Sequence, residues 1–429
     1  MSFILLLGIL LILGLLSTRI MKKFKLPNVT GYLLIGLIAA IFCLLIDKWT
    51  NSTLLSDELN SMNGIVSSIA LGFIALSIGE EFKISKIKHI GSKIILITLL
   101  QAGLAMILVD AFVLLVCYLL KLPLEIAICL GAIATATAPA ATLMVIHQYK
   151  AKGPLVDLLL PVVALDDAIG LIFFAISVSI SKVIAVGSAF SFTSLILMPL
   201  IEIIGSLLIG LILGVILRII IHYFKSRNNH VITIIAFTLI GVGLCTWINT
   251  ININGKHLEL SSLLCCMMIG ATYINIGEDI KIVERDFSLV ERWTPSLFLL
   301  FFVLSGAHLI EAAKEILSSN INFIFVVIIL LVYLIARSSG KYFGTFLGCK
   351  ITKRDNNITK YLGITLLPQA GVAIGMANQI STMDAFKNET GNIIVTVILC
   401  ATLIYELFGP LLTKWSLKKA GEINEEELQ

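Results

Sequence analysis

Charged residues are scarce in this sequence. Asp, Glu, Lys and Arg together make up 14% of the 429 residues, whereas a soluble domain carries about 25%. Hydrophobic residues reach 58%, and the mean hydropathy is +1.02. A water-soluble fold of this length cannot bury that much apolar surface. The composition therefore excludes a soluble enzyme, a secreted disulfide scaffold, a disordered chain and a nucleic-acid binder.

Potential metal ligands are also few. The chain has six histidines and eight cysteines, and no cysteine pair shows the spacing of a zinc site with histidines nearby. Most of the cysteines lie within apolar segments, where a thiol behaves as a small packing residue. The net charge of +4 is small and is spread along the chain. We expect no metal, no cofactor and no enzymatic activity.

Long apolar runs dominate what is present. A membrane-crossing helix needs about 20 mostly apolar residues, and hydropathy divides the chain into thirteen such spans. We place them at residues 3–20, 28–46, 63–81, 93–120, 124–146, 154–181, 194–221, 231–250, 258–276, 293–310, 320–348, 359–381 and 391–415. The predicted fold class is an all-α integral membrane protein with 13 transmembrane helices. We expect a transport domain over residues 1–415 and a short cytoplasmic tail over 416–429.

The basic residues alternate from loop to loop. The odd-numbered loops and the tail, with their edges, hold 23 of the 31 Lys and Arg residues, and the even-numbered loops hold six. Basic loops stay in the cytoplasm, so we predict a multi-pass protein of the cell membrane with its N-terminus outside and its C-terminus inside. The two remaining basic residues, Arg337 and Lys341, lie four apart within span eleven and share one helix face.

The strongest functional signal is a pair of acids in span six. Asp166 and Asp167 lie about twelve residues from the cytoplasmic end of the span, which puts both near the middle of the bilayer. Charged side chains at that depth are costly and mark transport sites. Adjacent residues project about 100° apart, so one carboxylate can face a cation while the other faces a basic residue. We expect the pair to bind protons and metal cations in turn.

Proline interrupts span five close to two hydroxyl side chains. Pro139 lacks an N–H and frees the carbonyl of Thr135, and the hydroxyls of Thr135 and Thr137 lie beside it. Unwound backbone at membrane depth is tolerated where it lines a site. Thr135 and Thr137 are therefore candidate cation ligands.

Span twelve carries a second interruption. Pro368 frees the carbonyl of Ile364, Gln369 follows, and Gly371 weakens the helix further. Two interrupted helices seven spans apart run in opposite directions, which is typical of an inverted repeat whose site lies where the broken helices cross. We pair spans four to six with spans eleven to thirteen.

Other buried polar residues have no clear role in the sequence. Asp110, Gln101, Glu202 and Glu406 all lie within predicted spans. Glu406 falls in the cytoplasmic half of span thirteen, where it could pair with a basic residue.

Four segments in order, TATAPAAT, LDDAIGL, GKYFGTFLG and LLPQAGVAIGMA, resemble the monovalent cation:proton antiporters, especially the NapA-type and Kef-type bacterial transporters. The resemblance covers residues 26 to 413. It implies an NapA-like fold with 13 helices, two crossing discontinuous helices and a homodimer. It also implies a core domain, about 93–181 and 320–415, that moves against dimerisation helices, about 1–81 and 194–310.

The same resemblance assigns roles to the charged residues. Asp166 and Asp167 fall on the family's aspartate pair. Lys341 falls on a lysine that forms a salt bridge with one of them, and Arg337 is the other candidate. The Pro-Gln-Ala-Gly stretch has no acid where many relatives carry one. Kef-type systems usually carry a cytoplasmic nucleotide-binding domain, and from the short tail we expect no gating of that kind.

The sequence therefore predicts a secondary transporter that exchanges Na⁺, or Li⁺ or K⁺, for protons by alternating access. In this interpretation Asp167 binds the cation and Asp166 pairs with Lys341 until it is protonated. The alternative is sodium-coupled symport of a small organic anion, with Arg337 as the anion's partner. An intramembrane aspartyl protease is disfavoured, because its two carboxylates must face each other from different helices.

Overall fold

The computed structural model describes residues 3–24, 28–50, 54–84, 91–138, 142, 145–146, 149–185, 198–224, 226–253, 256–257, 260–276, 280–318, 322–386 and 389–423. Helices dominate this part of the chain. They are α1 Phe3–Phe24, α2 Asn28–Thr50, α3 Leu54–Glu81, α4 Ser92–Leu120, α5 Glu125–Ala134, α6 Pro154–Ala185, α7 Met198–Tyr223, α8 Arg227–Asn249, α9 Ser262–Ile276, α10 Ile280–Trp293, α11 Pro295–Ser318, α12 Phe323–Ile351, α13 Asn356–Thr365, α14 Gly371–Thr382 and α15 Glu389–Ala420. A two-residue hairpin, β1 Asn252–Ile253 and β2 Lys256–His257, joins α8 to α9.

Nine of these helices are long and apolar enough to cross a membrane, counted over the described residues. Three of the other four predicted spans fall on shorter or interrupted helices, which are α5, α9, and the pair α13 and α14, and the fourth falls on the 32-residue α6. The all-helical membrane architecture agrees with the sequence. The count of thirteen crossings stays a prediction.

Two stretches of the chain have matching helix lengths. α4 and α12 each have 29 residues, α5 and α13 each have 10, and α6 and α15 each have 32. Each stretch begins with a long helix and a short helix that ends in a break, and it closes with a long helix. In the second stretch α14 lies between the break and α15. This is the repeat that the two proline-containing spans predicted, and it pairs spans four to six with spans eleven to thirteen.

The helices pack as two groups. α4 lies along α12, and α5, α6, α13, α14 and α15 pack around this pair. In the other group α2 packs on α11, and α9 packs between α3 and α7. We call the first group the core helices and the second the scaffold helices. Contacts of α15 with α11 and of α14 with α3 join the two groups.

Glycines on one face of α12 let it approach α4 closely. Gly340, Gly344 and Gly348 recur every four residues, and a Cβ at Gly344 would lie 2.5 Å from the carbonyl oxygen of Leu100 and 2.6 Å from the Cα of Gln101. Small residues at such spacing allow membrane helices to pack backbone against backbone. The contact fixes how Gln101 and the residues around Gly340 face each other.

We expect Gly344→Ala to destabilise the protein by about 3 kcal/mol, because the added methyl group meets backbone that cannot move aside. Thermal unfolding of the purified protein in detergent measures this loss. Gly103→Ala on α4 is the matched control, since a Cβ there meets nothing within 4 Å. Equal melting temperatures for the two variants would contradict the close contact.

Two segments differ from the sequence-based division. Residues 280–292 lie between two predicted spans but belong to α10, because Val283, Phe287 and Val290 make an apolar stripe that is buried among scaffold helices. The buried carboxylate of Asp286 holds α10 in place: His230 Nδ1 lies 2.7 Å from it, and the Tyr273 hydroxyl donates to it at 2.8 Å. Apolar and charged residues alternate with the period of an amphipathic helix in this segment. It therefore contains no continuous apolar run of the kind that predicts a membrane span.

The segment after residue 415 is also part of the packed structure. α15 continues to Ala420, and Ser416 and Leu417 are buried. The Glu422 carboxylate accepts backbone N–H bonds from Leu155 at 2.6 Å and Val156 at 3.0 Å. It thereby satisfies free N–H groups in the first turn of α6. Packed structure therefore continues beyond residue 415, through the end of α15 at Ala420 and the contacts of Glu422 with α6.

Candidate ion-binding site

The two interrupted spans meet at their breaks. The backbone is non-helical at Thr137 and Ala138 after α5 and again before α14. The Ala138 N–H donates to the carbonyl of Pro368 at 2.8 Å, and the Thr137 hydroxyl donates to the carbonyl of Leu366 at 3.3 Å. Pro139, the predicted cause of the first break, lies outside the described residues. The crossing of the two broken spans is nevertheless formed by direct contacts between them.

Side chains next to the breaks tie the two spans together further. The Thr142 hydroxyl donates to the carbonyl of Thr365 at 3.0 Å. The Gln369 amide donates to the carbonyl of Ile133 at 3.0 Å and lies within hydrogen-bond distance of the buried Tyr333 hydroxyl. Gln369 thus holds the crossing together, and no motif in the sequence predicts its contact with Tyr333.

Pro368 and Gly371 place the second break against neighbouring helices. A Cβ on Gly409 of α15 would lie 2.8 Å from the Pro368 ring. A Cβ on Gly371 would lie 3.3 Å from Phe302 of α11. The break in span twelve therefore lies between a core helix on one side and a scaffold helix on the other.

Arg337 binds the free carbonyls of both breaks. Its guanidinium donates to Ala134 at 3.1 Å, to Ala136 at 2.7 Å and to Leu367 at 2.7 Å. The side chain has no exposed surface and lies 4.5 Å from the centre of the Tyr405 ring. Carbonyl ends of helices carry partial negative charge, and the planar guanidinium can serve several acceptors at once. Arg337 is thus bonded to the breaks.

Lys341 is the basic residue that contacts the aspartates. Its Nζ lies 2.8 Å from Asp166 Oδ2, and both side chains are completely buried. The same Nζ donates to the Thr137 hydroxyl at 2.9 Å and to the carbonyl of Thr135. The carbonyl that the first break frees therefore becomes a ligand of the ammonium group. The sequence left Lys341 and Arg337 open as partners, and the packing of α12 brings Lys341 to Asp166.

Gln101 is the second partner of Asp166. Its amide nitrogen donates to Asp166 Oδ1, so each carboxylate oxygen has its own donor. The sequence singled out Gln101 only as one of several polar residues within spans. Gln101 lies on α4 opposite the glycines of α12. Only the packing of these two helices brings it to Asp166.

Asp167 follows Asp166 on α6, and its side chain lies outside the described part of the structure. The backbone of α6 passes close to the first break, because a Cβ on Gly170 would lie 2.9 Å from the Thr135 hydroxyl. The Thr135 hydroxyl itself donates to the carbonyl of Ala132 at 2.7 Å. Thr135 and Thr137 thus lie beside α6 near Asp166.

The remaining acids lie away from the crossing contacts. Glu202 accepts a hydrogen bond from Ser179 at 3.3 Å. Asp110 packs against Gly131 of α5. Glu406 is buried, and neither of its oxygens has a hydrogen-bond partner among the described residues. No ion pair between Glu406 and a basic side chain is formed by the described residues, and the suggested pairing stays a prediction.

A cavity of about 640 Å³ separates core from scaffold helices on one face of the molecule. Its wall includes Phe174 and Lys182 of α6, Glu202 of α7, Asn249 of α8 and Thr382 of α14. α6, α8 and α14 end at this face, whereas α15 ends at the opposite one. A cavity between two helix groups gives ions a route from one side.

The family model described as "Sodium/hydrogen exchanger, transmembrane" matches residues 7–415. Among solved structures, the sodium proton antiporter MjNhaP1 from Methanocaldococcus jannaschii superposes with a TM-score of 0.69 at 21% identity, over 98% of this chain and 99% of that one. A search of curated proteins finds no match. The structural likeness extends the fold assignment to nearly the whole chain.

Proposed function

The chain belongs to the sodium/hydrogen exchanger family, and on that premise we propose that it exchanges Na⁺ for protons by alternating access around Asp166 and Asp167. Membership of this family identifies the chain as a multi-pass membrane transporter for cations and protons, and not as an enzyme. Li⁺ and K⁺ are the alternative cations. The C-terminal face, where α15 ends, is the cytoplasmic side in this proposal.

The observation that carries the proposal is the buried ion pair of Asp166 and Lys341 at the crossing. A buried pair is stable only while both partners stay charged, and losing one charge leaves the other without compensation. Protonation of Asp166 therefore releases Lys341 from it. A bound proton is in this way coupled to a change in the contacts between α6, α12 and the first break.

Asp167 is the proposed cation ligand. Small hard cations take oxygen ligands, and carbonyl oxygens of unwound backbone supply them in other transporters of this general design. The break at residues 135–138 lies beside α6 and carries both carbonyl and hydroxyl oxygens. A proton and a cation then compete, because each requires an ionised carboxylate at the same place.

Alternating access follows from the two helix groups. The cavity between α6 and α14 on one side and α7 and α8 on the other supports a route to the outer face. We propose that the core helices, which carry both breaks, move against the scaffold helices and close this route while opening another.

Symport of an organic anion has no observation in its favour. That reading needs Arg337 to bind the anion, but three of its N–H groups already donate to carbonyls and the side chain is fully buried.

The test is proton movement driven by a cation. We expect purified protein in liposomes to move protons, reported by an internal pH dye, when Na⁺ is added outside, because cation binding displaces a proton from the aspartates. Li⁺ and K⁺ added in parallel identify the cation. Liposomes without protein are the control. Sodium uptake that depends on an organic anion and leaves the dye unchanged would overturn the proposal.

A further inference from the structure

A row of polar side chains follows one face of α15. Four of them are at most 1% exposed: Thr402, Glu406, Thr413 and Ser416. At about 100° per residue they fall within about 80° of one another around the helix. None of their side-chain oxygens has a hydrogen-bond partner among the described residues. We call these four residues the α15 polar row.

The row faces α13 and the break in span twelve. Gly409, in the middle of the row, lies against the ring of Pro368. Leu417, next to its last residue, packs in a cluster with Leu362 and Leu366. The Ser416 end of the row is thus near the C-terminal face. The middle of the row lies at the break in span twelve, and Thr402 lies beyond it. None of its four residues lines the cavity on the opposite face.

Buried polar groups in proteins are nearly always hydrogen-bonded. Four polar side chains, three hydroxyls and one carboxyl group, would each be costly to bury without a partner. Water is the partner that can serve several neighbouring oxygens at once in a polar site. Apolar residues would occupy these positions if the interface between α13 and α15 had only a packing role.

The charged side chains around α15 are directed elsewhere. On α12, Arg337 donates to the carbonyls of the breaks and Lys341 contacts Asp166. On α15 itself, Lys414 lies 4.4 Å from the centre of the Tyr149 ring. On α13, Lys360 is exposed. None of these cations has a described hydrogen bond to Glu406, which leaves its carboxyl group open to exchange protons with water.

We propose that the α15 polar row is a hydrated proton path from the C-terminal face to the crossing, with Glu406 as its proton-carrying group. The inference rests on the proposed cation/proton exchange and adds a route for protons that is separate from the cavity between core and scaffold. A proton from water binds one Glu406 oxygen and leaves by the same kind of O–H exchange. Each hydroxyl donates one proton as it accepts another, so no other bond changes.

The first test compares transport rate with cation affinity. We expect Glu406→Gln to slow cation-driven proton movement in liposomes at least tenfold, because an amide cannot release a proton. Cation affinity of the purified protein, measured by calorimetry, should stay within twofold. Glu406→Asp should keep most of the rate. Thr413→Val should slow transport several-fold, whereas Thr396→Val should not: Thr396 is equally buried and unpartnered but lies about 120° round the helix from the row.

The second test needs no transport. In a variant whose eight native cysteines are replaced, Thr413→Cys and Thr396→Cys are treated with a small charged methanethiosulfonate from the C-terminal face. Mass spectrometry should show modification at least tenfold faster at position 413. Equal rates at the two positions would show a dry row and overturn the inference.

The outcomes separate this inference from the proposed function. Loss of cation affinity in Glu406→Gln would make Glu406 part of the cation site and overturn the proton path. An unchanged rate in Glu406→Gln would overturn it as well. If the wild type moves no protons with any cation while position 413 is still modified rapidly, exchange fails but hydration of the row stands.

Discussion

Asp166→Asn is expected to reduce cation-driven proton movement to the background of empty liposomes, a loss of at least about 100-fold. Asparagine keeps the size of the side chain and can still accept from Gln101, but it cannot take up a proton. It also leaves the Lys341 ammonium buried without its counter-charge. Breaking a buried pair in this way costs about 3–5 kcal/mol, and each 1.4 kcal/mol is a factor of ten. The dye assay in liposomes measures the loss.

A second substitution separates transport from stability. Asp166→Asn should lower the melting temperature, because Lys341 is left uncompensated. Adding Lys341→Met should restore the melting temperature, since replacing both members of a buried pair is often neutral. Exchange should stay absent, because the proton-binding group is still missing. Recovery of transport in the double variant would show that Asp166 serves only to balance Lys341.

Two further variants complete the comparison. Asp157→Asn on the same helix is the matched control, because Asp157 is exposed in the first turn of α6, and it should exchange at the wild-type rate. Asp167→Asn should lose cation binding by calorimetry. Full exchange in Asp166→Asn would assign both proton and cation to Asp167.

Arg337→Met is expected to destabilise the protein by about 3–5 kcal/mol or to prevent its accumulation in the membrane. Methionine fills much of the same volume but donates no hydrogen bond. The carbonyls of Ala134, Ala136 and Leu367 then lose a charged donor, and an unpaired buried polar group is costly. Thermal unfolding in detergent and the amount of protein recovered from membranes measure the effect.

Matched variants identify the cause of that loss. Arg337→Lys keeps the charge but offers one nitrogen to carbonyls on two different segments, so its stability should lie between wild type and Arg337→Met. Arg227→Met replaces an exposed arginine and should change the melting temperature little. If Arg337→Met is as stable as wild type, the breaks do not depend on the guanidinium.

The helices and the position of the acids could be predicted because the bilayer imposes simple rules. Each crossing needs a long apolar run, so an ionisable residue such as Asp166 or Lys341 stands out at once. Proline lacks the N–H that donates to the carbonyl four residues earlier, so the position of Pro368 predicts a break in span twelve. The repeat followed from these two breaks and from the long spans before them.

The pairing of charges could not be predicted in this way. Arg337 and Lys341 lie one turn apart on the same face of α12, and nothing local distinguishes their partners. Close packing of the glycine face of α12 on α4 sets the height of each residue relative to the crossing. Lys341 thereby meets Asp166, Gln101 joins it from the opposite helix, and Arg337 meets the carbonyls of both breaks.

The sequence by itself determined the class of protein, the interrupted spans and the acids of the site, because hydropathy and proline act within one segment of chain. Only the tertiary structure decided the partners of Asp166, the role of Arg337 and the polar row of α15. Those depend on distances between different helices, such as the one between Asp166 and Lys341, which are 175 positions apart, and helix packing sets such distances.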